Sequence, residues 1–310
     1  MRVAAVDIGT NSTRLLIWDL GTKEADDPVD LERIDQVTGL GRGADDCGRL
    51  APDSIERTVR VLAHYGRLIE RTRPVAARAV ATAATRDAPN REEFLDAAQQ
   101  ALGFRPEVIS GTEEAALAFQ GATFRRADLD QIVVIDIGGG STEIVAKSGG
   151  VSVNLGSVRV TEGFLPDHPA RSGQVSAARR AVEETLGPAG PFPNHLGLGT
   201  AGTWTSLASL HLYLSGEPWS VVEGTRLGSD DLDRIVSRLA TLTLPEKRSL
   251  PALNKKRAPI ILGGAIIAEA ALLTLGLGEI TVTGADILDG VCLELATDLE
   301  YVQPTTQETP

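Results

Sequence analysis

The sequence predicts an α/β protein built from two similar domains with a cleft between them, and three observations point there. A nine-residue motif occurs twice: Asp7-Ile8-Gly9-Thr10-Asn11-Ser12-Thr13-Arg14-Leu15 returns as Asp136-Ile137-Gly138-Gly139-Gly140-Ser141-Thr142-Glu143-Ile144, with Asp, Ile, Gly, Ser and Thr at matching places. Each copy follows one apolar strand-like run and leads into another, and strand and helix periodicities alternate after it. At 310 residues the chain is also longer than one ordinary hydrophobic core supports.

The first half opens with strands at residues 3–8, 15–18 and 29–36, the first two joined by a tight turn of Gly, Ser and Asn. Apolar Ile55, Val59, Leu62, Tyr65 and Ile69 fall at helical spacing and predict a helix over 53–73. A strand at 76–81, a helix at 90–102, a strand at 107–109 and a helix at 111–124 follow. A boundary near 125–130 separates domains at 1–127 and 128–302, with a loose tail at 303–310. The second half restarts with strands at 132–137 and 144–146. It continues through a helix at 176–186, an apolar, glycine-rich stretch at 195–210, and helices at 229–240 and 260–275. A strand at 279–283 and a terminal helix from about 286 end it.

Composition removes several functions. The formal net charge of -12 argues against non-specific binding to nucleic acid or to an anionic membrane, because both need a basic surface. The longest apolar stretch, 260–277, is interrupted by Gly263, Gly264, Glu269 and Gly276 and predicts a buried helix, not a membrane span. The first residues lack the pattern of an export signal, so a cytoplasmic protein is expected. Cys47 and Cys292 lie far apart with no second thiol or histidine cluster nearby, which suggests neither a disulfide framework nor a zinc site. The negative charge does not exclude a phosphate ligand, since backbone amides and a few arginines hold an anion locally.

An Asp at a strand end followed by a turn of Gly, Ser, Thr and Asn suits that chemistry: small residues let amides approach the anion, and hydroxyls add donors. One copy alone is better explained by a hairpin turn with an Asp cap; the matched pair favours phosphate. Asp7 and Asp136 would face the anion from opposite sides, and two carboxylates there repel it unless a divalent cation, Mg2+ or Mn2+, lies between. Glu143 is a third candidate ligand. No segment fits a Walker loop, and the glycines join two strands where a dinucleotide fingerprint opens a helix.

Ser110 and Glu113 have capping-box spacing, with Glu113 expected to reach back to the helix start. That leaves Glu114 on the first turn to orient and deprotonate a water, or to complement the helix dipole. Arg86 is suited to grip phosphate oxygens or to sit solvated at the surface. Arg14 alternates with Leu15 on a strand and could point away from the turn. Residues 197–203 form a strand-to-helix turn with Thr200 as cap.

These segments, together with Val80-Ala81-Thr82-Ala83-Ala84-Thr85-Arg86-Asp87-Ala88-Pro89-Asn90 and Ile109-Ser110-Gly111-Thr112-Glu113-Glu114-Ala115, resemble in their order the motifs of the exopolyphosphatase and guanosine pentaphosphate phosphatase family. The resemblance spans nearly the whole chain and is to the short form; His64, His168, His195 and His211 are scattered, and none is followed by Asp as in the longer members' HD-type region. It implies two ribonuclease H-like (actin-like) domains, with mixed sheets flanked by helices and the active site in the interdomain cleft. The implied activity is release of the terminal phosphate of inorganic polyphosphate. The alternatives are a guanosine pentaphosphate 5'-phosphatase, a kinase or ATPase of the superfamily, or a sensor that binds without turnover.

The resemblance assigns catalysis to Glu114. It assigns substrate phosphate contacts to Arg86 and to the loops carrying Gly9, Thr10, Asn11, Ser12, Gly138, Gly139, Gly140 and Ser141. Thr200, Gly202 and Thr203 match a third loop that touches a nucleotide or further phosphates, and Arg257 in the basic run Asn254-Lys255-Lys256-Arg257 matches a family arginine. A homodimer is also implied. Two late departures, Ala258-Pro259 where the family has Ala-Asp and Ile287-Leu288-Asp289-Gly290 where it has Leu-Arg-Glu-Gly, remove two charged positions and bear on chain-length preference.

Overall fold

The computed structural model describes residues 1–21, 27–44 and 48–299. Cys47 and the tail at 303–310 lie outside the described residues; Cys292 is a free thiol buried in the last helix. In the first half, β1 (Arg2–Ile8), β2 (Ser12–Asp19), β3 (Val29–Val37), β4 (Ala76–Ala81) and β5 (Glu107–Val108) form one sheet in the order β3-β2-β1-β4-β5. The β1–β2 and β2–β3 pairs are antiparallel, and β1–β4 and β4–β5 are parallel. Both faces of β1 and β2 are buried, which explains their near-continuous apolar runs. Val6, Ile8, Leu15 and Ile17 pack with Leu62 and Tyr65 of α1 (Pro52–Thr72) and Phe94 of α3 (Arg91–Leu102). Between α1 and α3 runs a short α2 (Ala83–Asp87) that periodicity is too brief to reveal. Val3, Ala5, Leu16 and Trp18 face the other way, toward Leu117 of α4 (Gly111–Thr123).

The second half repeats the plan. Its strands are β6 (Ile132–Ile137), β7 (Thr142–Ala146), β8 (Gly149–Val153), β9 (Leu196–Thr200), β10 (Arg226–Gly228) and β11 (Glu279–Val282), ordered β10-β11-β9-β6-β7-β8. Apart from the added edge strand β10, order and sense match the first sheet. Around this sheet lie α5 (Ser157–Phe164), α6 (Ser172–Leu186), α7 (Ala201–Leu214), α8 (Ser229–Thr241), α9 (Leu244–Ser249) and α10 (Ile261–Leu275). Helix α10 is buried almost all round, as its sequence predicts, and Arg179 satisfies its one acid, Glu269, through two bonds of 2.7 Å. No helix among the described residues is long and apolar enough to cross a membrane.

The terminal helix α11 (Ile287–Asp298), which sequence placed with the second half, packs on the first sheet. Its apolar face, Ile287, Leu288, Val291 and Ala296, covers Val3, Ala5, Leu16 and Trp18. Leu288, where the family pattern has Arg, is thus a core residue. Helices α4 and α11 cross at backbone contact: a Cβ on Gly121 would lie 1.9 Å from the Asp286 carbonyl oxygen, and one on Gly290 would lie 2.1 Å from that of Leu117. Helix α4 also touches β7 and β8, so it stands between the two sheets and brings Glu114 to the cleft.

Candidate active site

Both copies of the motif fold into the same turn. The Gly9 amide donates to the Ser12 carbonyl (2.9 Å), and the Gly138 amide donates to that of Ser141 (3.0 Å). The loops meet face to face, and glycine makes this possible: a Cβ on Gly140 would lie 2.5 Å from the Thr10 hydroxyl, and one on Gly139 would lie 3.1 Å from the Asn11 amide nitrogen. A third wall is the N-terminus of α7, where Ala201, Gly202 and Thr203 line the same pocket. Among the described residues the amides of Thr10, Asn11, Gly139 and Gly140 have no hydrogen-bond partner, and the first-turn amides of a helix are free by construction. Together they form an anion cradle of the kind that nests and helix N-termini provide. The space between these walls is about 60 Å³ and opens to solvent, room for about five water-sized atoms at roughly 10–15 Å³ each, enough for one phosphate group.

All predicted site residues line this pocket except Arg86, Thr200 and Glu143. Thr200 occupies the N-cap of α7, but its hydroxyl donates to the Ala285 carbonyl (2.6 Å) and caps nothing. Arg86 donates to Glu114 (3.0 Å) and to the Ile109 carbonyl (3.1 Å), so its guanidinium braces the carboxylate from behind and does not reach the pocket. The Ser110 hydroxyl accepts from the Glu113 amide (3.1 Å), as its spacing predicts, yet the Glu113 carboxylate accepts from Arg78 (2.7 Å) and does not turn back to the helix start. Glu114 remains free to face the cleft. Burial pushes its pKa up to about 7 against the opposing bond from Arg86, with the charge of Asp7 adding to the rise.

The acids divide into two groups. Asp7 stands directly across the β1–β2 ladder from Arg14. Arg14 donates to it through Nε (2.9 Å) and Nη2 (2.7 Å), and through Nη1 to Asp286, the N-cap of α11. Arg14 therefore points into the site, not away from it. Across β6–β7 the matching pair is Asp136 and Glu143. Glu143 accepts from Ser152 (2.6 Å), whereas Asp136 has no ion pair or side-chain hydrogen bond among the described residues. Burial raises the Asp136 pKa to about 7, with Arg14 opposing and Asp286, Glu114 and Asp7 adding to the rise. Burial, then Glu114 and Asp136, push Glu143 well above the usual carboxylate range.

No group of three or more His, Cys, Asp or Glu among the described residues is placed to hold a metal ion. The unpartnered, buried Asp136 facing the pocket nevertheless fits a divalent cation of the kind that takes one or two carboxylates and completes its shell with water and phosphate oxygens.

A sequence model of the Ppx/GppA phosphatase family matches residues 22–298. The chain belongs to the Ppx/GppA phosphatase family. Exopolyphosphatase 2 of Mycobacterium tuberculosis H37Rv is 38% identical over 314 residues, covering 95% of this chain and 98% of that one. Among solved structures, an exopolyphosphatase-like protein is 32% identical with a TM-score of 0.87, covering 96% of this chain and all of the other. A Ppx/GppA family member from Aquifex aeolicus is 28% identical with a TM-score of 0.79, covering 98% and 99%. The expected duplicated actin-like fold is thereby shown.

In this Ppx/GppA chain, sequence reasoning missed Arg14 and Asp286. An Asp-x-x-Asp pattern at 286–289 does signal the start of α11, where Asp286 accepts from the Leu288 amide (2.9 Å) and Asp289 from that of Asp286 (2.8 Å). Nothing local connects it with Asp7, which only the return of α11 to the first sheet brings close.

Proposed function

We propose that this chain is an exopolyphosphatase, a hydrolase that removes the terminal phosphate of inorganic polyphosphate. The observation that carries this is the position of Glu114: a largely but not fully buried carboxylate, with a pKa raised to about 7, beside a phosphate-sized cradle. A base is most effective when its pKa lies near the working pH. The name of the Mycobacterium tuberculosis relative supports the substrate.

In the proposed reaction the terminal phosphate lies between the two loops, its oxygens accepting from their amides and from the N-terminus of α7. Glu114 takes a proton from a water as the water oxygen bonds to phosphorus. The bond from phosphorus to the bridging oxygen breaks, and its electron pair leaves on the shortened chain, so orthophosphate and a polyphosphate one unit shorter result. Arg86 fixes the Glu114 carboxylate in place. Arg14 occupies Asp7, which leaves Asp136, with Glu143 behind it, to hold a divalent cation. When bound, that cation, Mg2+ by expectation and Mn2+ as the alternative, neutralises charge on the phosphate oxygens. The two halves, taken as 1–127 and 128–302 with α11 lent to the first sheet, close over the chain end and exclude bulk water. A cytoplasmic location and a homodimer accompany this proposal; the dimer rests on the family resemblance alone.

The test is phosphate release from polyphosphate and from guanosine pentaphosphate, with Mg2+ or with EDTA, by the native protein and by Glu114→Gln. Mg2+-dependent release from polyphosphate, lost in the variant, is the expected result. Release from guanosine pentaphosphate alone, or near-native turnover by the variant, overturns the assignment.

A further inference from the structure

Four cations gather at the pocket wall formed by Asn11 and Ser12, in a chain whose formal net charge is -12. The turn at residues 38–43 is drawn tightly onto that wall: the Thr38 and Gly39 amides donate to the Asn11 carbonyl (3.0 and 2.8 Å), and the Gly41 amide donates to that of Thr10 (2.8 Å). Only a glycine fits at 41, where a Cβ would lie 2.4 Å from the Thr10 methyl. This places Arg42 against the loop, its Nη2 donating to the Asn11 side-chain carbonyl (2.7 Å) and to the Lys256 backbone carbonyl of the other half (3.0 Å). Lys256 reaches back to the Val37 carbonyl (3.4 Å), and Arg257 donates to the Ser12 hydroxyl (3.1 Å) and to Asp35. Arg57 completes the group on the Thr38 carbonyl (3.0 Å).

Arg257 is the one of these with an ion pair among the described residues; Arg42, Arg57 and Lys256 have none, and their hydrogen bonds go to neutral oxygens. Arg42 Nε and Asn11 Nδ2 are buried donors with no partner. Burial, followed by the charge of Arg57, pushes the Arg42 pKa down against the opposing carboxylate of Glu162, with Arg257 adding to the fall. Glu162 near Arg42 and Asp35 on Arg257 offset only part of this charge, and a polyanion lying across the group would add charge-assisted contacts. The pocket has room for a single phosphate group, so the rest of a polyphosphate must lie outside it.

We propose that Arg42 and Lys256, with Arg257 between them and the pocket, form a subsite for the phosphate groups that follow the terminal one and so set the preference for long over short chains. The proposal rests on the exopolyphosphatase assignment. Arg42→Gln and Lys256→Gln, made separately, test it through KM and kcat on tripolyphosphate and on long-chain polyphosphate. Loss of one charge-assisted contact is expected to raise KM for the long chain about tenfold, with a smaller rise for tripolyphosphate and with kcat retained. Lys256 is exposed, so its variant keeps the test independent of folding. An equal rise on both substrates, or no rise on either, overturns the subsite while leaving the hydrolase in place. Failure of the native protein to release phosphate from any polyphosphate overturns both.

Discussion

The two glycine loops share a motif, a turn and a place in their sheets, and burial raises the pKa of both Asp7 and Asp136, yet the charges that face the two carboxylates differ. In each, the residue seven positions after the Asp stands across the hairpin from it: Arg14 opposite Asp7, Glu143 opposite Asp136. The first loop thereby contains its own cation, which also reaches Asp286, and its carboxylate is neutralised by the chain itself. The second loop pairs acid with acid beside Glu114 and has no internal cation. The cradle has two similar sides that differ across the hairpin, Arg14 on one and Glu143 on the other, and in the proposed reading the second side is the one left for an incoming cation.

The largest effect expected on the acidic side is on catalysis. Glu114→Gln should lower kcat by on the order of 10³-fold with little change in substrate affinity, if proton transfer from water is its task. Steady-state phosphate release checks it, and a loss confined to KM would place Glu114 in binding instead.

Next in size is stability, where the two Asp residues should respond with opposite signs. Asp7→Asn removes one partner of a buried ion pair and should destabilise the metal-free protein by about 3 kcal/mol. Asp136→Asn removes a buried carboxylate with no partner and should stabilise it by about 1 kcal/mol at slightly alkaline pH. Denaturant unfolding of both variants decides the matter, and losses of equal size would erase the distinction between the loops.

A smaller effect is expected with pH. The folded-state pKa values of Glu114 and Asp136 lie at about 7, above the ordinary values of 4.5 and 3.8, so between those limits the folded protein holds protons that the unfolded chain releases. Their contribution to stability is full below about pH 4 and is lost as the pH rises through about 7. Activity should run the other way, falling below about pH 7 as Glu114 takes up its proton. Unfolding curves across pH 4–8 with and without Mg2+ sharpen the comparison: the decline should flatten when the cation is present and when Asp136 is replaced by Asn.

Much of this was legible from the sequence because the informative signals are local. The repeated strand, turn and strand located Asp7, Asp136 and the two glycine loops, and the helix start at Ser110 located Glu114. What failed depended on register or topology. Comparing Arg14 with Leu15 shows that they face opposite ways, but not which of them shares a face with Asp7; the pairing of Asp7 with Arg14 across the hairpin decides that. Arg86 was expected to grip substrate phosphate, and only the fold shows its guanidinium bonded to Glu114. Asp286 lies 272 residues from Arg14 and enters through α11, whose return to the first sheet no periodicity discloses. Glu113 fitted a capping box by spacing, but Arg78 on the neighbouring β4 attracts its carboxylate more strongly.

The central claim is that the cation belongs to the Asp136 side while Arg14 fills the Asp7 side, and Mn2+ binding followed by electron paramagnetic resonance tests it without reference to turnover. Asp136→Asn should abolish tight Mn2+ binding, and Asp7→Asn, measured under conditions where it remains folded, should retain it. Binding that survives in Asp136→Asn and disappears in Asp7→Asn would contradict the account.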